Sequence, residues 1–173
     1  MKEAIEITIR EAVKSDAAAL IDFLSLVGGE SHYLTMDDAG PLISEADMAD
    51  YLTQIAEKDN NAYFLALANG EIMGVLSVTA DFHYRVRHIG DIFIAVKSDS
   101  KGLGIGTLLF EDMLDWVKEL GVIKRLELTC QKRNAAAVHL YEKMGFALEA
   151  EKKYGARDEN GNLITTLQMV RFF

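Results

Sequence analysis

The sequence predicts an α/β protein of the α+β kind, with a mixed, mostly antiparallel central sheet and helices on both of its faces. Three observations lead there. Ala62 to Ala68 and Ile72 to Thr79 are apolar runs joined by Asn69-Gly70, a strong signal for an antiparallel hairpin. Ile92 to Thr129 reads strand, glycine-rich turn, amphipathic helix, strand, a unit whose two strands lie parallel with a right-handed crossover. Further helices and strands flank both segments, so the sheet is antiparallel early, parallel at one place and covered on both sides.

The elements follow in order. Ile5, Ile7 and Ile9 alternate with polar residues and predict a first strand. Ser15 stands where it can cap a helix in which Ala18, Ala19, Phe23, Leu24 and Val27 recur at helical spacing, and Gly28-Gly29 is expected to end it. Glu30 to Pro41 reads as a polar loop, and Ser44 caps a second helix through about Lys58. Asn60-Asn61 breaks the chain before the hairpin, and His88 to Val96 continues the sheet. From about Gly104 to Leu120, Leu108, Leu109, Met113, Trp116 and Leu120 are expected on one broad helix face, with Gly121 as terminator. Leu126 and Leu128 mark the next strand, and Asn134 opens a helix through Met144. Phe146 starts a strand that turns at Asn160-Gly161 into a last one ending at Phe173. No repeat, low-complexity tract or linker interrupts the chain, so residues 1–173 are expected to form a single domain.

With 173 residues, 50% of them hydrophobic, the chain can build one core. It has no window of about 18 uninterrupted apolar residues, which excludes an apparent membrane span. Met1 to Arg10 alternates polar and apolar residues instead of showing a basic-then-apolar leader, so a soluble cytoplasmic protein is expected. Lys plus Arg total 18 against 27 Asp plus Glu, and the net charge of −9 argues against broad nucleic-acid binding while favouring cationic ligands. An anionic ligand would need local cations, which Lys97, Lys101, Lys132 and Arg133 could supply. Cys130 stands alone, which excludes a disulfide framework and a Cys-rich metal site; at the end of an apolar strand it reads as a small buried side chain. A thiol that carried an acyl group would need an activating base nearby. The four histidines, His32, His83, His88 and His139, show no ligand spacing, so no metal is expected.

The chemistry concentrates in Lys101-Gly102-Leu103-Gly104-Ile105-Gly106-Thr107, between a strand (Ile92 to Val96) and a helix. The first helical turn leaves N–H groups unpaired and carries partial positive charge, and glycines let a pyrophosphate approach them without Cβ atoms in the way. Gly106 is followed by Thr107 and Leu108, not by Lys and Ser/Thr, so a Walker loop is excluded. The G-x-G-x-G spacing also departs from the G-x-G-x-x-G of dinucleotide folds, which leaves a nucleotide-dependent oxidoreductase as a distant third reading.

Lys101, Gly104 and Gly106 fit the pattern Gln/Arg-x-x-Gly-x-Gly/Ala, with Lys101 keeping a cation but not the planar fork. Asn134, Ala137, Tyr141 and Gly145-Phe146 fit N-x-x-A-x-x-x-Y-x-x-x-G-F. Together the two motifs resemble the GNAT superfamily of N-acetyltransferases, and the likeness of layout extends over essentially the whole chain. The resemblance implies a GNAT-like fold and direct transfer of the acetyl group of acetyl-coenzyme A to a primary amine in a ternary complex. It also implies that Lys101 through Thr107 hold the pyrophosphate, that Ile94 and Val96 pair with the pantetheine arm, and that Asn134 and Ala137 help hold the cofactor. Tyr141 is then similar to the family's general acid, which protonates the departing sulfur, and a bulge in the Ile92 to Val96 strand points an oxyanion donor at the thioester.

Helical spacing puts Asn134, Ala137 or Val138, and Tyr141 on one face, at offsets of three, four and seven. Asp91 is the preferred general base, ahead of His88, Glu30 and Asp37; in a regular strand Asp91 and His88 face opposite sides unless Gly90 marks a bulge, and some family members need only an ordered water. Glu30, Asp37, Asp38, Glu45 and Asp47 flank the expected substrate mouth and favour a cationic acceptor, either a small-molecule amine or an amine of a peptide or protein. The rival reading is a non-catalytic acyl-coenzyme A sensor or interaction module on the same fold. Phe172-Phe173, if exposed, would suit a homodimer contact.

Overall fold

Turn chemistry fixes the first hairpin: Asn69 and Gly70 take φ of 51° and 80°, the left-handed pair that a two-residue turn of matching twist requires. The computed structural model describes residues 5–173; Met1 to Ala4 of the alternating N-terminal stretch lie outside them. The strands are β1 (Ile7–Glu11), β2 (Ala62–Ala68), β3 (Glu71–Ala80), β4 (Ile89–Val96), β5 (Arg125–Gln131), β6 (Ala147–Arg157) and β7 (Leu163–Phe172). The α-helices are α1 (Ala17–Glu30), α2 (Glu45–Ala56), α3 (Ile105–Leu120) and α4 (Ala135–Lys143). The strands form a seven-stranded sheet in the order β1-β2-β3-β4-β5-β7-β6. Its neighbours are antiparallel except β4 and β5, which are parallel.

Both faces are covered, which is why β2 reads as an almost unbroken apolar run. Phe64 and Ala66 of β2 join Ile105, Leu109, Phe110 and Met113 of α3 in one core, whereas Tyr63 and Leu65 join Leu20, Phe23, Val27 and Leu52 of α1 and α2 in the other. Each such large apolar side chain, fully buried, contributes about 1.5–3 kcal/mol.

Four local expectations are corrected. Ile5 precedes β1 instead of belonging to it. Ser15 lies inside a single 3-10 turn, Lys14–Asp16, and the residue at the α1 N-cap position is Asp16, so α1 begins one residue later than a Ser15 cap implies. Gly28-Gly29 does not end α1, which continues to Glu30 with Ser31 N–H bonded to the Val27 carbonyl at 3.0 Å; a Cβ on Gly28 would stand 3.1 Å from the Asp37 carbonyl oxygen, so this glycine admits the following loop to the helix surface. The inward stripe of α3 is Ile105, Leu109, Phe110, Met113, Leu114 and Val117, leaving Leu108 and Trp116 half-buried and Leu120 exposed. Ser44 does cap α2, its Oγ accepting from Asp47 N–H at 3.1 Å, although the helix stops at Ala56.

The feature that positions the site is the β4–β5 pairing. It spans only Ile89↔Arg125, Gly90↔Leu126 and Asp91↔Glu127, after which the two strands part. Gly90 lies at this seam, where a Cβ would meet Val78 Cγ1 at 2.7 Å; it is a packing glycine and not a bulge, because the β3–β4 register runs unbroken from Ala80↔Gly90 to Gly74↔Val96. The bulge implied for β4 is therefore absent. Instead, every other residue from Ile92 to Val96 turns its N–H and C=O toward the gap that β5 has left.

Candidate active site

The gap between β4 and β5 opens into a cavity of about 870 Å³. One wall is the run Asp91 to Val96, which includes Ile94 and Val96; opposite stand Leu128, Thr129 and Cys130 of β5. The glycine turn, the start of α3 and the neighbouring α4 also line it, together with the C-terminal end of α1, Ser31 and residues 33–35.

Of the run 101–107, Lys101, Gly102, Gly104, Ile105, Gly106 and Thr107 line the cavity. Leu103 is the correction: it lies outside the lining and is 48% exposed, between two glycines whose φ of 82° and 76° turn the backbone sharply on either side of it. The helical ladder of α3 starts with Leu108 N–H to the Gly104 carbonyl at 3.1 Å, so the N–H groups of Ile105, Gly106 and Thr107 precede it, at the positive end of the helix. A Cβ at Gly102 or Gly104 would meet no protein atom within 4 Å, so these glycines answer to backbone conformation and leave the space above them open. Gly106 differs, because a Cβ there would come within 2.9 Å of Leu140 Cδ2, where α3 passes α4.

Asn134 caps α4, its Oδ1 accepting from Ala137 N–H at 3.3 Å, which leaves the amide NH2 for the cavity that both residues line. Tyr141, 8% exposed, lies edge-on to Phe110 with ring centroids 5.7 Å apart and also lines the cavity. Burial pushes its phenol well above the ordinary value, and the charge of a neighbouring Cys130 thiolate would add to this. Cys130 is itself buried, which pushes its thiol up and keeps it protonated, so the acyl-carrying reading gains no support.

Among the candidate bases, Asp91 lines the cavity at the point where the strands part. Although partly exposed, its carboxyl is raised above the ordinary value, by partial burial first and by the charge of Glu127 second, with Lys152 opposing. Glu127 is committed to Arg125 Nε at 2.8 Å and Gln168 Nε2 at 3.3 Å. Glu30 reaches the cavity, but its Oε2 accepts from Ser98 N–H at 3.0 Å; His88 and Asp37 lie outside the lining.

The cations separate in the same way. Lys101 has no ion-pair partner among the described residues, whereas Lys97 lies 3.7 Å from Asp99 and Lys132 lies 2.9 Å from Glu151, both outside the cavity. Arg133 is no free cation either. Its Nη2 donates to the His32 carbonyl at 3.2 Å and to Glu159 at 2.6 Å, its Nε donates to Gln131 Oε1 at 2.7 Å, and its guanidinium lies 5.4 Å from the centroid of the Tyr33 ring. Gln131 Nε2 also donates to the His32 carbonyl, at 2.9 Å. This clasp holds the α1–α2 loop over the cavity, and the sequence pattern gives no sign of it, because His32 and Arg133 are a hundred residues apart.

A profile of the acetyltransferase (GNAT) family matches residues 32–146. The L-amino acid N-acetyltransferase AaaT of Escherichia coli (strain K12) is 29% identical over 126 residues, which cover 71% of this chain and 76% of that protein. Among solved structures, an acetyltransferase of the GNAT family from Streptococcus pneumoniae superposes with a TM-score of 0.95 at 41% identity, over 97% of this chain and 100% of that one. The phosphinothricin acetyltransferase of Sinorhizobium meliloti, solved in complex with acetyl-coenzyme A, shares the fold with a TM-score of 0.74 at 22% identity, over 96% and 88% of the two chains. Since the family profile spans more than half of the chain and takes in both motifs, this chain belongs to the GNAT acetyltransferase family.

Proposed function

We propose that this protein transfers the acetyl group of acetyl-coenzyme A directly to a primary amine, with donor and acceptor bound together in the cavity between β4 and β5. One observation carries the reading: an open glycine turn at a helix N-terminus, a strand edge vacated by its neighbour and a buried phenol line one continuous cavity. A pyrophosphate suits the N–H groups of Ile105, Gly106 and Thr107 with Lys101 beside them, and the extended pantetheine arm suits the free edge of β4 at Ile94 and Val96. Asn134 and Ala137 face the same path from α4. The edge of β4 also offers N–H groups to the negative charge that develops on the carbonyl oxygen.

Tyr141 then donates a proton to the departing sulfur; its raised pKa keeps it protonated across the neutral range. Asp91 takes a proton from the incoming ammonium, directly or through water, as a cavity-lining carboxylate with no ion-pair partner among the described residues allows. The acceptor carries a primary amine and approaches under residues 33–35. The name of the Escherichia coli relative makes a free amino acid one class to include among the acceptors tested. A sensor of acyl-coenzyme A would need the cradle but no proton donor, so the placement of Tyr141 favours the enzyme.

The test is acetyl-coenzyme A-dependent thiol release with pools of L-amino acids, short peptides with free N-termini, polyamines and amino sugars, against a control without acceptor that accounts for Cys130. Release above the control supports the transferase; confirmed binding of acetyl-coenzyme A with no release from any pool favours the sensor.

A further inference from the structure

The β4–β5 seam ends at the register pair Asp91↔Glu127, and the next residue of each strand, Ile92 and Leu128, lines the cavity. Both side chains belong to the core that holds Phe110 and Met113 of α3, 7% and 2% exposed. Two residues earlier on each strand, and so on the same face of the sheet, stand the register partners Gly90 and Leu126. Here the packing is closed to within a methyl group. A Cβ on Gly90 would stand 2.7 Å from Val78 Cγ1, 3.1 Å from Leu126 Cδ2 and 3.5 Å from Ile123 Cδ1. None of Gly90, Val78, Leu126 and Ile123 lines the cavity, so Ile92 and Leu128 form its floor at the seam. On the function proposed above, the donor arm runs along β4 past Val96 and Ile94, and the attacking amine meets Asp91. Both conditions bring the acyl group to this floor.

We infer that Ile92 and Leu128 gauge the length of the acyl group, admitting acetyl and propionyl and rejecting longer chains. A short acyl group ends against the two side chains. Each further methylene would have to enter the layer beneath them, where even a Cβ on Gly90 finds no room. The other way out of the seam leads past Asp91, whose side chain turns to the opposite face because β4 keeps a regular register there. Methylenes lying on that side would strip water from the Asp91 carboxylate and take the place of the incoming amine. Donor choice therefore resides in the seam, whereas the glycine turn and α4 meet parts that every acyl-coenzyme A shares.

The inference rests on the cofactor assignment, and the experiment separates the two. Calorimetry on the full chain measures the affinity for acetyl-, propionyl-, butyryl- and hexanoyl-coenzyme A, which needs no acceptor. Acetyl and propionyl thioesters should agree within about threefold, and the butyryl and hexanoyl thioesters should bind at least about tenfold more weakly. Leu128→Ala, checked for a cooperative thermal transition, should bind butyryl-coenzyme A at least as tightly as acetyl-coenzyme A, because the lost side chain leaves space for the added methylenes. Ile92→Val deletes a single carbon and keeps the test open where Leu128→Ala fails to fold; it should tighten the propionyl thioester relative to the acetyl one. Equal wild-type affinity for the butyryl and acetyl thioesters would overturn the proposal alone, as would an unchanged order of affinities in the folded variants. No binding of acetyl-coenzyme A would overturn the cofactor assignment and this proposal with it.

Discussion

On the proposed function, Tyr141 serves packing and chemistry from one position. Its ring is held edge-on by Phe110 in the larger core, and the residue also lines the cavity. Removing the oxygen alone should leave that packing intact, so Tyr141→Phe is expected to lower kcat by about 10²–10⁴-fold, the usual worth of a positioned general acid. Acetyl-coenzyme A affinity, measured by calorimetry, should stay nearly unchanged; unaltered kcat would remove Tyr141 from the acid role. Asp91 gives a pH signature. Its pKa is raised, so the charged form that a base requires is lost at a higher pH than for an ordinary Asp, and kcat should fall as pH drops through that raised value. In Asp91→Asn this acid limb should vanish along with much of the rate, and a limb that survives would assign it to another group. Tyr141 is a candidate through the family motif it completes, and Asp91 through its place just before the Ile92 to Val96 strand. Their electrostatics were not legible in the sequence, since burial, the Glu127 charge and the nearness of Cys130 depend on strands that meet only in the fold.

At the level of elements, the glycine run does two jobs that its spacing alone did not separate. Gly102 and Gly104 serve backbone conformation, and Gly106 serves the passage of α3 past α4. Gly104→Val should impose the left-handed penalty of about 1–2 kcal/mol and place a branched side chain in the open space above the turn. We expect weaker acetyl-coenzyme A binding with the thermal transition still cooperative, and titration showing undiminished affinity would contradict the phosphate cradle. Strong local signals, such as Asn69-Gly70, Ser44 and Asn134, were readable because each acts through its own backbone. The end of α1 departs from its local signal for the opposite reason. Gly28 looks like a stop signal, yet its lack of a Cβ serves the contact with Asp37, a partner that no local window contains. The face of α3 departs from its spacing in the same way, because the sheet beneath selects Phe110 and Leu114 over Leu108 and Leu120.

For the whole molecule, the two cores lie on opposite faces of the sheet, and the Arg133 clasp ties the α1–α2 loop to the β5–α4 junction and, through Glu159, to the β6–β7 hairpin. Arg133→Gln should free residues 31–35 and raise KM for the acceptor several-fold, while acetyl-coenzyme A affinity holds. An equal loss of both affinities would mean that the clasp supports the entire site. Arg133 holds Glu159 down at about 2 from an ordinary 4.5, so the clasp is fully engaged above the ordinary value and is released as pH falls toward about 2. None of the described helices is long and apolar enough to cross a membrane, and Phe172 is 66% exposed at the end of β7. The parting of β4 from β5 has one more consequence. With three register pairs across it, this is the thinnest join in the sheet, and a bound donor arm would supply the backbone partners that β4 lacks. Those amides between Ile92 and Val96 that face the gap should therefore exchange with deuterium faster than those of β2 and β3 in the free protein and slow down when acetyl-coenzyme A is added. On the proposed function, the protein is a sheet with a gap in its weave, and its substrate fills that gap for as long as the reaction lasts.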